Sequence, residues 1–191
     1  QGSPDLVIDD AAQVSNLSDA PWEPIDPEKH WVDIDLTSMV SGGSRRGIRT
    51  SGTIVAVRPD SGIIERCPEC RRVLRDDACA EHGPQRGEED LRLRFVIDDG
   101  VSNASLLMSK DVSEAFLGVN QESVKEQISK EGRDGFVASL RQRVLAQRLS
   151  IKGRSIVDDQ GAMLLADEAE QNQISPAEAA NQVMQRWGVV L

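Results

Sequence analysis

Alternating apolar and polar side chains predict a series of short strands in the middle of the chain. Residues 49–58 are rich in β-branched side chains and run into a turn signal at Pro59-Asp60-Ser61-Gly62, which predicts a bent first strand continuing to Ile64. Residues 91–97 alternate apolar side chains with arginines, which predicts a half-buried second strand. Asp98-Asp99-Gly100 predicts a hairpin turn, so residues 101–108 return as a third strand.

The hydrophobic period changes after this hairpin. Between residues 112 and 144 apolar side chains recur at helical spacing, with a break around Gly132 and Gly135. Strand alternation returns at residues 148–154, and a turn at 158–161 leads into a fifth strand at 163–166. Ser175-Pro176-Ala177-Glu178 has the form of a capped helix start, which predicts a last helix extending to about Trp187.

The first 30 residues have neither period, and we interpret residues 1–30 as a flexible acidic arm. Gln1-Gly2-Ser3 resembles the remnant left by an engineered protease site and is excluded from the fold interpretation. The rest of the arm mixes Asp, Ser, Asn and Pro. Trp22 and Trp31 are expected to attach the arm to a folded domain at residues 31–170, which the helix at 171–191 follows.

All three cysteines and one of the two histidines fall in a single short segment, Cys67-Pro68-Glu69-Cys70 and Cys79-Ala80-Glu81-His82. These two pairs supply the ligand types and number that a closed tetrahedral zinc site requires. Four protein ligands leave no open position for an activated water, so we predict one structural Zn²⁺ in a ribbon at residues 66–84. The alternatives are four unrelated buried residues, or a redox Cys-x2-Cys pair that would leave Cys79 and His82 without a purpose.

The net charge of −10 at first argues against a nucleic-acid partner, but the charge is unevenly distributed. Residues 1–40 carry nine acidic side chains against one lysine, whereas residues 41–97 carry eleven arginines against nine acids. The local field of the middle segment therefore permits an anionic partner.

Basic residues on two predicted strands are the best candidates for phosphate contacts. Arg92 and Arg94 lie on one face of the second strand, and Arg148, Lys152 and Arg154 lie on one face of the fourth, so that two basic rows could line a groove. Arg71 and Arg72 would extend this surface onto the ribbon. The alternative for any of these residues is a solvated surface pair with a nearby acid. The chain has no tyrosine and three phenylalanines, so it offers few aromatic rings on which bases could stack.

Three strands, a helix and two strands is the order of an OB-fold, a small Greek-key barrel that binds oligonucleotides. With the Cys67, Cys70, Cys79 and His82 ribbon between the first two strands and a capped helix after the fifth, the chain resembles the carboxy-terminal domain of the large subunit of replication protein A, most closely its archaeal form. The resemblance covers roughly residues 30–190. We therefore expect a mainly β fold, a five-stranded OB barrel with an inserted zinc ribbon and a C-terminal helix.

The resemblance implies a single-stranded-DNA-binding module of a complex that serves replication, repair and recombination. It implies that the last helix assembles with other subunits, as a heterotrimer, through the stripe formed by Ala180, Val183, Met184 and Trp187. The alternative is a structural trimerisation core with little DNA binding of its own.

No catalytic Ser/His/Asp set, phosphate loop or telling carboxylate pair is present in the sequence, and no apolar run is long enough to span a membrane. We therefore expect neither an enzyme with a small-molecule substrate nor a membrane partner. Because the metal motif uses every cysteine, a reducing cytoplasm fits best, and the resemblance implies an archaeal, nucleoid-associated location.

Overall fold

In the residues that a computed structural model describes, which are Ser15, 30–159, 161–172 and 175–188, the chain forms nine strands and four helices. In chain order they are β1 (Val32–Asp33), α1 (Leu36–Gly42), β2 (Arg45–Val57), β3 (Gly62–Arg66), β4 (Ala78–Cys79), β5 (Gly83–Pro84), β6 (Glu88–Asp98), β7 (Asn103–Met108), α2 (Lys110–Leu117), α3 (Gln121–Val144), β8 (Arg148–Asp158), β9 (Gly161–Gln171) and α4 (Pro176–Arg186). None of these helices is long and apolar enough to cross a membrane.

The five main strands close into a barrel. Strand β2 pairs with β8 along its first part and with β6 along its second, and the order continues β8, β9, β7 and back to β6. These pairings are antiparallel except for the parallel pair β7 and β9. With β3 as the continuation of the bent first strand, this is the OB-fold topology, and the fold predicted from the strand order is confirmed.

Alternate residues of the strands fill the barrel. Leu91, Leu93, Phe95 and Ile97 are completely buried, as the alternation in the sequence predicts. One core layer runs across four strands through the paired residues Phe95, Leu106, Leu164 and Ser155, all of them buried. The residues on either side of this layer therefore point outward.

A β-bulge allows β8 to bend around the barrel. The register between β8 and β9 shifts at Lys152 and Gly153. A Cβ atom on Gly153 would lie 2.1 Å from the carbonyl oxygen of Leu165, so only glycine fits this close approach.

The helical segment after β7 is two helices. Gly118 ends α2 in the left-handed conformation, and the side chain of Asn120 caps α3 by accepting a hydrogen bond from the Ser123 N–H. The predicted break within α3 occurs at Gly132, with φ of 75°, whereas Gly135 lies inside the helix. The buried side chains of α3 join the barrel core, so this helix closes one end of the barrel.

Helix α1 and strand β1 were not predicted from the sequence. Leu36 and Met39 of α1 are almost completely buried in the barrel core, and Asp35 caps the helix by accepting a hydrogen bond from the Ser38 N–H. The Leu36 N–H donates to the carboxylate of Asp99 in the hairpin between β6 and β7. A seven-residue helix with two apolar anchors is too short to give a clear helical period.

The acidic arm falls outside the described residues except for Ser15 and His30, and Trp22 is also outside them. The ammonium of Lys152 on β8 lies 5.8 Å from the centroid of the Trp31 ring, at the start of the domain. The attachment of the arm through Trp22 and Trp31 stays a prediction.

Candidate metal centre and nucleic-acid interface

The segment between β3 and β6 forms a small ribbon of tight turns, in the loop between the first two barrel strands. Its only regular pairing among the described residues is the two-residue ladder of β4 and β5. Arg71, Asp76 and Asp77 adopt positive φ, a strained conformation for side chains with a Cβ atom. Backbone pairing holds little of this loop, so other interactions must fix the positions of its turns.

The four predicted ligands meet inside this ribbon. The three sulfur atoms and an imidazole nitrogen of His82 all lie within 4.8 Å of one another. Cys70 Sγ and Cys79 Sγ are 3.5 Å apart, and His82 Nδ1 lies 3.5 Å from Cys67 Sγ and 3.6 Å from Cys79 Sγ. In a tetrahedron with Zn–S of about 2.3 Å and Zn–N of about 2.0 Å, ligand atoms are separated by about 3.5 to 3.8 Å, so the spacing fits a zinc ion.

The surroundings of the cluster favour a thiolate at Cys79. Backbone N–H groups of Glu81 and His82 donate to its sulfur and lower the pKa of the thiol to about 6. On the outer side of the imidazole, a carboxylate oxygen of Glu69 lies 3.6 Å from His82 Nε2. A carboxylate in this position orients a metal-binding imidazole, here with Nδ1 toward the sulfurs.

The ribbon is connected to the barrel at its base. The Leu74 N–H donates to the carbonyl of Glu65 in β3, and the Arg66 guanidinium pairs with the buried carboxylate of Asp90 in β6. Gly87 packs so closely against Glu65 that a Cβ atom would lie 2.6 Å from the glutamate Cβ. The metal cluster is therefore held in a defined position relative to β3 and β6.

Arg92 and Arg94 both point outward from β6 and bind the same acid. Each guanidinium donates to Oδ2 of Asp60 at 2.7 Å. Burial raises the pKa of the Asp60 carboxyl, but the hydrogen bond from Arg94 and the charges of both arginines outweigh burial and hold this pKa below its ordinary value. The Arg92 side chain is only 11% exposed and its Nε has no hydrogen-bond partner among the described residues.

These two arginines line a cleft of about 830 Å³ between the ribbon, β3 and α3, which we call the ribbon cleft. Lys125 and Arg133 contribute further positive charge from α3. Lys125 pairs with Glu89, and Arg133 donates to the carbonyl of Ile63. The lining of the ribbon cleft carries five basic and five acidic side chains, so it has no net positive charge, and most of its cations already have partners.

The second basic row projects from β8. Arg148 donates to Ser51 Oγ at 2.9 Å, and Lys152 pairs with Glu168 at 3.0 Å. Arg154 is exposed and forms no ion pair or hydrogen bond through its guanidinium with the described residues. Arg148 lines a second cleft, of about 490 Å³, together with Arg49 of β2.

The structure places the two basic rows on opposite sides of β2. Thr53 pairs with Arg148 on β8 and with Asp98 on β6, whereas Arg94 lies four residues earlier on β6. At about 3.3 Å per residue, Arg94 is about 13 Å further along the barrel than Asp98. Arg92 and Arg94 line the ribbon cleft and Arg148 lines the second cleft, because β2 exchanges one neighbour for the other along its length, whereas Lys152 and Arg154 line neither cleft.

On the ribbon, Arg71 pairs with Glu88 and Arg72 pairs with Glu81. All four side chains are about half exposed. Ion pairs of this kind stabilise a protein by about 0–1 kcal/mol, so both arginines can exchange their partners for another anion at small cost.

Helix α4 starts where the sequence predicts. The Ser175 hydroxyl accepts from the Glu178 N–H while the Glu178 carboxylate accepts from the Ser175 N–H, which is a complete capping box. Of the predicted stripe, Val183 is 40% and Trp187 63% exposed, Ala180 is exposed and Met184 is partly buried. The stripe is thus largely uncovered by the described part of the chain.

Sequence reasoning missed Asp60 as the shared partner of Arg92 and Arg94. It appeared as a turn residue, and its approach to β6 depends on the bend between β2 and β3. It also missed Lys125 and Arg133, because their positions on α3 gave no signal of a cleft.

Comparisons with known proteins give structural matches only, since no protein-family model and no curated protein sequence matches the chain. The chain is similar to a chain of a replication protein A heterotrimer bound to single-stranded DNA, with a TM-score of 0.54 and 12% identity over 83% of this chain and 40% of that one. This chain therefore spans about two fifths of that relative. At this identity, the likeness shows a shared OB-fold.

Two other solved structures have lower scores. A chain of yeast replication protein A bound to single-stranded DNA has a TM-score of 0.45 and 15% identity, over 74% of this chain and 85% of that one. The OB domain of a Thermoplasma acidophilum protein has a TM-score of 0.38 and 8% identity, over 75% of this chain and 89% of that one.

Proposed function

We propose that this protein is a single-stranded-DNA-binding module of a replication protein A complex, acting in DNA replication, repair and recombination. The observation that carries the proposal is the cluster of Cys67, Cys70, Cys79 and His82 in the loop between the first two strands of an OB barrel. OB-folds bind oligonucleotides across their second and third strands and the adjoining loops, so a ribbon in this loop borders the usual binding face.

The cluster binds one structural Zn²⁺ in this proposal. Bound zinc supplies four strong bonds that hold the turns of the ribbon together. Four protein ligands leave no position for an activated water, so a non-enzymatic role is proposed.

Arginines and one lysine contact the phosphates of the strand in this proposal. They are Arg92, Arg94, Arg148, Lys152, Arg154, Arg71 and Arg72. Most of them are already paired, so DNA phosphates must replace carboxylates such as Glu88 and Glu81. Replacement of a carboxylate by a phosphate is easiest in the exposed ion pairs of the ribbon. It is hardest at Arg92, whose side chain is 11% exposed.

The last helix provides the contact with other subunits, and we propose a heterotrimer. The exposed side chains of Val183 and Trp187, with Ala180 and Met184 beside them, form the partner surface. In the proposed domain organisation, the chain has an acidic arm at 1–30, an OB domain at 31–170 with its ribbon at 66–84, and an assembly helix at 171–191. The proposed location is the archaeal cytoplasm, in association with the nucleoid.

The second candidate is a structural trimerisation core with little DNA binding of its own. The shortage of aromatic residues, the net charge of −10 and the pairing of Arg92 and Arg94 with Asp60 favour it. Partner binding through α4 is common to both candidates, so DNA binding distinguishes them.

The test is fluorescence anisotropy of labelled oligo(dT) with the purified chain at several salt concentrations. A DNA-binding module should lose affinity steeply as salt rises, and Arg148→Glu with Arg154→Glu should weaken binding much more than Arg141→Glu, an exposed control on α3. No binding at low salt would favour the structural core. Removal of residues 175–191 should abolish subunit association and leave DNA affinity unchanged.

A further inference from the structure

An outward strip on the barrel has an apolar centre and an arginine at each end. The pairings Arg94 with Leu107, Leu107 with Leu165, and Leu165 with Arg154 form one continuous row across β6, β7, β9 and β8. The row beside it consists of Val96, Ser105, Met163 and Ile156. We call these eight residues the aliphatic strip.

The side chains of the strip lie on the outer surface. The row between the two is the buried core layer of Phe95, Leu106, Leu164 and Ser155, and successive residues of a strand face opposite sides. Ile156 and Arg154 are exposed, and the other six residues are partly exposed. The strip is therefore accessible on the outside of the barrel.

The strip itself lacks acidic side chains, although acids lie close to it. None of the eight residues is acidic, although the chain carries 32 acidic residues and a net charge of −10. The next outward row, toward the hairpin ends, contains Asp98 and Asp158. The strip thus has an arginine at each end of one row and acids beyond the other. Arg94 is paired with Asp60, so Arg154 is the cation of the strip that is open to a phosphate.

We propose that the aliphatic strip is the surface on which the bases of the single strand lie, in place of aromatic rings, with the phosphates beside Arg94 and Arg154. This inference rests on the proposed DNA-binding function and extends the binding surface from β6 and β7 onto β9 and β8. Arg154 is the readier contact, since its guanidinium forms no pair with the described residues whereas Arg94 binds Asp60.

The size of the strip favours a nucleic acid over a protein partner. Four neighbouring strands, about 4.8 Å apart, give a width of about 14 Å. A stable protein interface uses about 20–30 residues on each side, far more than the eight present here. A few nucleotides need no more than this area, and OB-folds occupy about 4–16 nucleotides.

The experiment compares oligo(dT) of about 16 nucleotides with an abasic strand of the same length, using the full chain and fluorescence anisotropy. The wild-type protein should bind oligo(dT) more tightly than the abasic strand, because only the former places bases on the strip. Leu107→Ser with Leu165→Ser should weaken oligo(dT) binding by about fivefold or more and remove the preference for bases. Val55→Ser, an exposed outward position on β2, is the matched control and should change neither.

Arg154→Ala should weaken binding of both strands equally and reduce the slope of log affinity against log salt by about 0.7. The control Arg141→Ala removes the same charge from α3 and should leave the slope unchanged. If thermal unfolding shows that the variant with Leu107→Ser and Leu165→Ser does not fold, Met163→Gln is tested instead. It should also reduce the preference for oligo(dT) over the abasic strand.

The outcomes separate the two proposals. If the wild-type chain binds neither strand, the DNA-binding function fails and this inference fails with it. If the chain binds DNA with a steep salt dependence but the strip variants behave like Val55→Ser, the aliphatic strip alone is refuted. Equal wild-type affinity for the base-bearing and abasic strands also refutes it.

Discussion

Helix α1 should be an integral part of the barrel, and Leu36→Ala tests this. Leu36 has no solvent exposure and packs in the main core cluster. Truncation of a buried leucine to alanine costs about 2–5 kcal/mol, because transfer energy is lost and a cavity remains. Taking about 3 kcal/mol and a shift of about 2–4 °C per kcal/mol for a chain of this size, the unfolding temperature should fall by about 6–12 °C.

Val40→Ala is the matched control, because Val40 lies on the same helix and is 38% exposed. It should change the unfolding temperature by no more than about 2 °C, since exposed substitutions usually cost within about 0.5 kcal/mol. Thermal and urea unfolding followed by circular dichroism measure both variants. If Leu36→Ala is no more destabilising than Val40→Ala, α1 does not close the barrel and the proposed domain boundary at residue 31 is wrong.

Three further predictions concern the ribbon, the ribbon cleft and the bulge. Cys79→Ser should abolish stoichiometric zinc, measured by atomic absorption, and weaken oligonucleotide binding while the circular dichroism of the barrel persists; loss of the barrel signal would contradict this. Asp60→Asn should destabilise the protein at pH 7 and flatten the decline in stability below about pH 4. The pKa of Asp60 is lower in the folded protein than the ordinary value of 3.8, so its ion pairs add stability above pH 3.8, and this stability is lost as the pH falls through the folded pKa. Urea titrations at several pH values, with Asp134→Asn as control, test this prediction. Gly153→Ala should cost at least about 2 kcal/mol in urea unfolding, because its Cβ would overlap the Leu165 carbonyl, and an unchanged midpoint would refute the close approach.

The sequence allowed prediction of the elements whose pattern is local. Alternation in residues 91–97 predicted strand β6 and its buried face, and Ser175 with Glu178 predicted the start of α4. The metal cluster could also be predicted, because ligand type and spacing are determined by chemistry that does not depend on the rest of the fold.

Features that depend on how distant strands meet could not be predicted. The two basic rows were expected to share a groove. Closure of the barrel decides which strands lie on either side of β2, and the sequence of one strand alone does not show this. The pairing of Asp60 with Arg92 and Arg94 likewise needs the bend between β2 and β3. Short elements such as α1 have too few apolar residues to show a helical period. Their burial depends on packing against the folded barrel, which the local sequence does not show.

The ribbon and the barrel have separate hydrophobic clusters in the described residues, and this determines how the proposed zinc could affect the proposed DNA binding. The ribbon cluster contains Cys67, Cys70, Leu74 and Cys79, and none of these packs into the barrel core. Loss of the metal should therefore disorder the ribbon without unfolding the barrel. Its effect on the binding surface must pass through the base of the ribbon, where Arg66 pairs with Asp90 and the Leu74 N–H donates to the Glu65 carbonyl. The ribbon cleft adjoins this base and should lose affinity for phosphates, whereas the aliphatic strip, on β6, β7, β9 and β8, should keep its preference for bases after zinc is removed.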